Sequence, residues 1–343
     1  MPFHALEVAE VEELTDEAVA ITFRVPPELA TAYAARPGQH VSVRAGTDET
    51  RRSYSLCSPG PAGSLRIGVK RLPGGAFSDG VVPRLRAGDR LEVMTPSGRF
   101  TPTIEATAHR RYGAVAAGSG ITPVLPIVEA LLEGERHARV TLVRADRTLR
   151  SVMFLDEVHD LKDRFPERLQ LVHVLSREEQ DVELLSGRLD AARMTRLVEV
   201  LGLQGTDEWF VCGPQPLVAE LQPVLPGRVH TELFHAEPAP RSAVVAPAVP
   251  GAARVVVRRD GRSTAIDLRP DGPPVLEAAL GARSDLPWAC RGGVCGTCRA
   301  RLVEGSVAMD TAWALEPDEV AAGHVLTCQA HPTSERVVLD FDG

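Results

Sequence analysis

Cys290, Cys295 and Cys298 form a C-x4-C-x2-C run, Cys290-Arg-Gly-Gly-Val-Cys-Gly-Thr-Cys298, and Cys328 follows after a longer gap. No other feature of the chain restricts its fold so narrowly. Four thiolates at this spacing suit a [2Fe–2S] cluster, with three of them presented by one tight loop. Gly292, Gly293 and Gly296 let such a loop bend closely and aim backbone N–H groups at sulfur, which stabilises a negatively charged cluster and tunes its potential. A structural zinc site usually draws on C-x2-C pairs, and only one such pair is present; unpaired core cysteines are the other plain alternative. Of the six cysteines, Cys57 and Cys212 lie outside the run and are not expected to be ligands. A cytosolic chain does not keep structural disulfides, so a tight cluster reads as metal or redox chemistry.

The rest of the chain must supply whatever such a cluster works with. At ~150 residues per domain, 343 residues make roughly two domains, or three small ones. A composition of 44% hydrophobic and 24% charged residues supports a sizeable core and excludes a mainly disordered chain. No run approaches the ~20 apolar residues needed to span a bilayer, so no membrane association is expected. Met1–Leu14 alternates apolar and acidic residues without a basic region or apolar core, which predicts no secretory leader and a cytoplasmic location. The net charge of −8 argues against nucleic acid as a partner.

Three patterns succeed one another. Short alternating runs at Ala18–Val25, His40–Arg44, Arg52–Cys57, Leu65–Arg71 and Leu91–Met94, broken at Arg36-Pro37-Gly38 and Ser58-Pro59-Gly60, predict a small antiparallel β-barrel over 1–106. From about residue 110, apolar runs at Tyr112–Ala117, Val140–Val143, Leu169–Leu175 and Trp209–Cys212 alternate with helical stretches to Leu132 and over Val152–Leu161, Leu189–Leu201 and Val218–Leu225. That alternation predicts a doubly wound parallel α/β sheet over 107–235. The Ala/Pro-rich segment 236–252 reads as a linker. In the third unit, 253–343, Arg254–Arg258 and Ser263–Leu268 flank Asp260-Gly261, a hairpin signal.

Two further constellations carry chemistry. In the barrel, Arg52-Ser-Tyr54-Ser55 offers a cation for phosphate, an aromatic face for a ring system and a hydroxyl beside it. Gly74-Gly75-Ala-Phe77-Ser78 is expected to open a short helix whose free N–H groups suit a pyrophosphate. In the second unit, Gly118-Ser-Gly120-Ile-Thr122-Pro123 follows a strand and precedes a helix, so a pyrophosphate can approach the helix N-terminus. Phe210-Val-Cys212-Gly213-Pro214 is a second strand-to-loop switch, where a nicotinamide has room; by itself, Cys212 reads as a small buried hydrophobe.

Together these residues resemble a known family. Arg52-x-Tyr54-Ser55, Gly74-Gly75-x-x-Ser78, Gly118-x-Gly120-x-x-Pro123 and Cys212-Gly213-Pro214 look like the ferredoxin–NADP reductase family, and the cysteine run resembles a plant-type ferredoxin. The resemblance implies an α+β β-grasp fold for the third unit. Reductase first and ferredoxin last is the order of several oxygenase reductases. Cys290–Ala300, Leu315–Ala330, Arg51–Cys57 and Val229–Phe234 are most similar to the reductase components of phenylacetyl-CoA epoxidases.

What the resemblance implies can be set out by residue. Tyr54 would pack on a flavin ring, Ser55 would bond near its reactive nitrogen N5, and Arg52 would hold a phosphate. Gly74, Gly75 and Ser78 would hold the pyrophosphate, making the flavin FAD. Gly118, Gly120, Thr122 and Gly213 would line a nicotinamide dinucleotide, with Cys212 near its ring. Glu232 and Phe234 match a tail near the active site, or are simply a surface acid and a core aromatic. The implied path runs from NADPH through FAD and [2Fe–2S] to the oxygenase component of a multicomponent, diiron-type monooxygenase. Arg144, Arg147, Arg150 and Ser151 follow the second strand of the sheet, and Arg147 suits the extra phosphate of NADPH. NADH stays open, because Asp146 among these arginines would repel a phosphate and a solvated loop would look the same. Other readings are the reductase of a ring-hydroxylating or alkane-oxidising system, and a redox sensor without turnover.

Overall fold

The computed structural model describes residues 2–44, 51–58, 63–234 and 251–343. Most of the linker expected at 236–252 lies outside the described residues, as does part of the Ser58-Pro59-Gly60 break. Among the described residues no helix is long and apolar enough to cross a membrane.

The first six strands are β1 (Phe3–Thr15), β2 (Ala18–Arg24), β3 (His40–Arg44), β4 (Arg52–Ser58), β5 (Ser64–Lys70) and β6 (Arg90–Met94). They close into an antiparallel barrel in the order β1-β2-β5-β4-β3-β6. Leu6, Ile21, Phe23, Val41, Ile67 and Val93 fill it. On β5 the period of two is plain: Leu65, Ile67 and Val69 are buried in the barrel, while Ser64, Arg66, Gly68 and Lys70 share the other face. The acidic alternation at the N-terminus, noticed in the sequence only as unlike a leader, is the long first strand. The short helix expected to open at Gly74 is instead a pair of turns ending in a 3-10 helix, Val82–Arg84. Gly74 takes φ +75°, outside helical space, which breaks the expected start.

Five parallel strands follow: β7 (Arg111–Ala117), β8 (Arg139–Asp146), β9 (Leu169–Leu175), β10 (Glu208–Cys212) and β11 (Arg228–Glu232). Their order is β11-β10-β7-β8-β9. Helices α1 (Ile121–Gly134), α2 (Leu155–Arg164), α3 (Ala191–Val200) and α4 (Gln215–Leu221) intervene. Trp209 pairs in register with Gly113, and a Cβ at Gly113 would collide with its indole ring. The chain steps outward from β7 to β9, then returns to place β10 on β7's other side. The crevice at the C-terminal ends of β7 and β10 is therefore the topological switch point, the usual ligand position in such sheets.

Barrel and sheet form one compact unit, Met1–Glu232. Ala18, Ala20, Cys57 and Phe100 belong to the same apolar cluster as Ile121, Val124, Ile127 and Phe210, and Phe100 meets Phe210 edge to face at 5.7 Å.

The second unit is Leu233–Gly343. Its strands are β12 (Ala253–Arg259), β13 (Arg262–Leu268), β14 (Arg299–Glu304), β15 (Val307–Met309), β16 (His324–Leu326), β17 (Ala330–Pro332) and β18 (Arg336–Asp340), with helices α5 (Val275–Ala282) and α6 (Pro317–Ala321). The main sheet runs β13-β12-β18-β14-β16, parallel only between β12 and β18, and α5 packs its buried face (Val275, Leu276, Ala279) into the same core. Asp260 and Gly261 both take positive φ, as a type I′ hairpin needs. At α6, Pro317 is the first helical residue and Glu316 with Glu319 makes a capping box.

Candidate functional site

The cluster loop spans from α5 to β14. Its thiols form two pairs: Cys290 with Cys295, and Cys298 with Cys328, each within hydrogen-bonding reach. Among the described residues no set of three or more His, Cys, Asp or Glu side chains is gathered around a single-ion position. Two thiol pairs suit a two-iron cluster, one pair to each iron, better than a closed zinc tetrahedron. The backbone supports them. Gly292 N–H points to Cys290 Sγ at 3.3 Å, the N–H groups of Val294 and Cys295 also reach it, and that of Gly293 reaches Cys328. Gly293 and Gly296 take φ +74° and +67°, and a Cβ at Gly293 would strike Thr311 Oγ1 and lie 3.1 Å from Gln329 Cγ. The loop is thus already shaped to surround a buried anion. Cys57 and Cys212 belong to the core of the first unit and not to this set.

In the barrel, Tyr54 and Ser55 follow Arg52 on β4, in register with Val41 and His40 of β3. The Tyr54 ring stands 5.4 Å from Phe77, tilted by 43°. Burial raises its phenol above the usual range, so it stays neutral. Arg52 is exposed, and its guanidinium reaches the Arg51 carbonyl at 2.9 Å. The glycine turn is partly self-satisfied: Gly74 N–H donates to Asp79 at 2.8 Å, Gly75 N–H to Leu72 O, and Ser78 Oγ accepts from Leu72 N–H at 3.2 Å. Among the described residues the N–H groups of Ala76, Phe77 and Ser78 donate to no backbone or side-chain acceptor. They form the run available to an anion, and a Cβ at Gly75 would crowd Ser78 Oγ and the Leu72 carbonyl. A groove of about 1010 Å³ runs past Ser78, Arg86, Arg71 and Arg150; Tyr54 and Ser55 are not in its lining.

At the switch point, Gly118 takes φ +54° with open space beside it, and Thr122 Oγ1 donates to the Ser119 carbonyl at 2.9 Å as α1 begins. A Cβ on Gly120 would collide with the Cys212 carbonyl, and one on Gly213 would lie 2.8 Å from Ala117 Cβ. The two glycine motifs are therefore in direct contact, 92 residues apart by the numbering of Gly120 and Cys212. Gly120, Cys212 and Gly213 are buried in this contact, and Gly118 and Ser119 beside it stay partly exposed at the start of α1, where a dinucleotide can approach.

The barrel's Ser55 reaches this crevice: its Oγ donates to Glu232 Oε2, at the end of β11, at 3.0 Å. Burial pushes the Glu232 carboxyl up to about 8, with the Ser55 bond opposing it. His40 Nδ1 lies 4.0 Å from the same carboxyl, and its Nε2 is 3.2 Å from Ser97 Oγ. Burial pulls His40 down to about 4, so near neutral pH this contact joins two uncharged groups rather than an ion pair. Cys212 is buried, and burial with the nearby Glu232 holds its thiol well above the usual range. Phe234 is 41% exposed, not a core aromatic. His40 and Ser97 carried no sequence signal, since neither belongs to a motif and they meet only because β3 lies beside residues 97–98.

The strand β8 runs on to Asp146, so Arg144 lies within it, turns inward and pairs with Asp146 at 3.1 Å, both side chains essentially buried. The acid expected to repel a phosphate is thus occupied. Arg147 remains half exposed, 3.8 Å from Glu17.

Three family models match the chain in succession. Residues 5–101 match the oxidoreductase FAD-binding domain model, 114–222 the oxidoreductase NAD-binding domain, and 257–333 the 2Fe-2S iron–sulfur cluster binding domain. The 1,2-phenylacetyl-CoA epoxidase of Escherichia coli K12 has one component that is 42% identical to this chain, over 99% of this chain and 98% of its own length. The ferredoxin reductase component of 3-ketosteroid-9-alpha-monooxygenase from Mycobacterium tuberculosis H37Rv is 34% identical over 98% and 95%. The solved structure of phthalate dioxygenase reductase shares the fold at TM-score 0.56 and 23% identity, covering 99% of this chain and 98% of that one.

Proposed function

We propose, for a chain that belongs to the family of FAD- and [2Fe–2S]-containing oxygenase reductases, that it is the NADPH-dependent reductase component of a phenylacetyl-CoA epoxidase. The observation that carries the electron path is the Ser55–Glu232 bond, which brings the barrel strand bearing the flavin motif to the switch point of the nucleotide sheet. The choice of oxygenase rests on the full-length likeness to the epoxidase component. The working division is 1–106 for FAD, 107–235 for the nicotinamide dinucleotide and 253–343 for the cluster. The partner is an oxygenase, which we take to be a diiron enzyme, and six unpaired thiols suit a cytoplasmic setting.

FAD, when bound, links the two-electron hydride chemistry of a nicotinamide to the one-electron chemistry of a [2Fe–2S] cluster. The chain's own residues bind, orient and shield. Tyr54 would give the flavin ring an aromatic face, the N–H groups of 76–78 would be available to its pyrophosphate, and Arg52 would supply a cation at the strand entry. Gly118, Gly120 and Thr122 cradle the nicotinamide dinucleotide, with Gly213 keeping the wall thin. Cys212, a neutral thiol buried at the end of β10, would lie beside the ring. Ser55 donates to Glu232, whose carboxyl keeps a proton at neutral pH beside a neutral His40 and a neutral Cys212. Arg147 is placed to receive a 2′-phosphate in exchange for its exposed contact with Glu17. The four cysteines Cys290, Cys295, Cys298 and Cys328 hold the cluster.

Reconstitution tests this reading. With a phenylacetyl-CoA oxygenase component, NADPH consumption should be coupled to substrate epoxidation. Coupling only to a ring-hydroxylating or alkane-oxidising component would replace the assignment, and negligible reduction of any acceptor would favour a sensor. A large preference for NADH would remove the role given to Arg147. Tyr54→Ala is expected to weaken FAD binding about fivefold, from the ~1 kcal/mol of a lost aromatic contact; unchanged flavin content after dialysis would show that Tyr54 does not face the ring.

A further inference from the structure

Hydride transfer between two dinucleotides depends on how firmly their holders are registered, because a displacement of about 1 Å costs about a hundredfold in rate. Here the barrel carries the flavin motif and the sheet carries the nicotinamide loop. Their shared apolar cluster joins Ala18, Ala20, Cys57 and Phe100 to Ile121, Val124, Ile127 and Phe210, and apolar contact is non-directional, so it does not by itself set a register. Besides the Ser55–Glu232 bond, a further directional contact crosses it. Arg66, on the outer face of β5, reaches Glu157 of α2 with two guanidinium nitrogens, at 3.1 and 3.2 Å. The same guanidinium pairs with Glu12 of β1 and lies 5.2 Å from the Phe154 ring centroid. Its side chain is only 16% exposed.

The far side of the contact is held in an unusual way. Phe154, which precedes α2, has φ 57° and ψ 37°, a left-handed conformation that an aromatic residue rarely adopts and that costs about 1–3 kcal/mol. That geometry presents its ring to β5. Two residues along the same face of β5 from Arg66, a Cβ at Gly68 would lie 2.6 Å from Thr122 Cγ2 and 3.1 Å from the Phe154 ring. Thr122 is in the nicotinamide loop. Two positions further still, Lys70 lies 3.7 Å from Glu17, which is 3.8 Å from Arg147. One strand face therefore sets the approach of the nucleotide loop to the barrel, with Arg66 fixing the register and Gly68 the gap.

We propose that Arg66, acting through Glu157 and Phe154, is a positioning residue that sets the approach of the nicotinamide loop to the flavin barrel, with Gly68 as the spacer. The inference rests on the electron path proposed above. Arg66→Met, Glu157→Gln and Gly68→Ala should each keep their FAD. Arg66→Met should reduce its flavin with NADPH about 10- to 100-fold more slowly in stopped flow, with KM for NADPH changed less than about threefold. Glu157→Gln should fall in the same direction, the double variant should be no slower than the worse single one, and Arg66→Lys should recover part of the rate. In FAD-free protein, amide exchange at 155–158 should quicken in Arg66→Met and not in Arg66→Lys. Wild-type reduction rates in a flavin-retaining Arg66→Met, or effects that multiply in the double variant, would overturn the inference. If Arg66→Met does not fold, unchanged reduction rates in both Glu157→Gln and Gly68→Ala would do so. A wild-type protein that fails to reduce its flavin with either nucleotide would instead overturn the electron path.

Discussion

Cys295→Ser protein should keep its FAD, and its reduction of ferricyanide by NADPH, yet lose both cluster absorbance and all electron delivery to the oxygenase. The cause lies in the two thiol pairs. Cys295 shares a pair with Cys290, so its loss leaves one iron with a single protein thiolate while the Cys298–Cys328 pair stays intact. A hydroxyl does not replace a soft thiolate on iron at this spacing. The flavin barrel and nucleotide sheet should be unaffected, because the unit Met1–Glu232 has its own cores and none of their buried members comes from the ferredoxin unit. The ferredoxin unit itself should be destabilised, since metal ligation in small metal-binding domains is also folding free energy. The checks are visible absorbance, iron and sulfide content, flavin content, and paired assays with ferricyanide and with the oxygenase. Loss of FAD together with the cluster would contradict this separation, and a retained cluster would show that Cys295 is not a ligand.

What could be read from the chain without coordinates follows from how local each signal is. The cysteine loop is a statement about nine consecutive residues, Cys290 to Cys298, whose glycines specify its bend, so it was legible in full, and Cys328 completed the spacing as the fourth thiolate. The parallel strands and the Asp260-Gly261 hairpin were legible for the same reason, since period and turn chemistry act within a few residues. The start at Gly74 misled because Gly-Gly satisfies a helix N-terminus and a left-handed turn equally well, and only the bond from Gly74 N–H to Asp79 decides between them. Asp146 looked like an obstacle to phosphate because sequence lists neighbours without directions; on a strand, Arg144 and Asp146 point to the same face, where they pair. The network of His40, Ser97, Ser55 and Glu232 was the least legible part. Its members come from four separate segments, and a hydrogen bond spanning 177 residues leaves no periodicity to find. The same holds for Arg66 and Glu157, which are ordinary charges until β5 and α2 are brought together.

Glu232→Gln should change the pH dependence of stability more than any other single substitution in this network. In the folded chain the carboxyl titrates at about 8, against an ordinary value of 4.5. Folding therefore takes up a proton at this site between those values, so its contribution is fully present below 4.5 and is lost as pH rises through 8. His40 works in the opposite sense: held at about 4 against an ordinary 6.5, it releases a proton on folding, and its contribution is present above 6.5 and lost as pH falls through 4. Between 4.5 and 6.5 the two slopes cancel, and above 6.5 only Glu232 acts. At about 1.4 kcal/mol per pH unit, the wild type should lose about 2 kcal/mol from this site between pH 6.5 and 8. The glutamine keeps a carbonyl oxygen for the Ser55 hydroxyl but cannot ionise, so it should not share that loss. Urea unfolding of both proteins across pH 6 to 9 measures the difference directly, because every other titrating group is common to the two. The stability gap should widen in favour of the variant by about 2 kcal/mol between pH 6.5 and 8. A gap constant with pH would mean that Glu232 is already ionised at neutral pH, and the uncharged lining assigned to the switch point would then have to be given up.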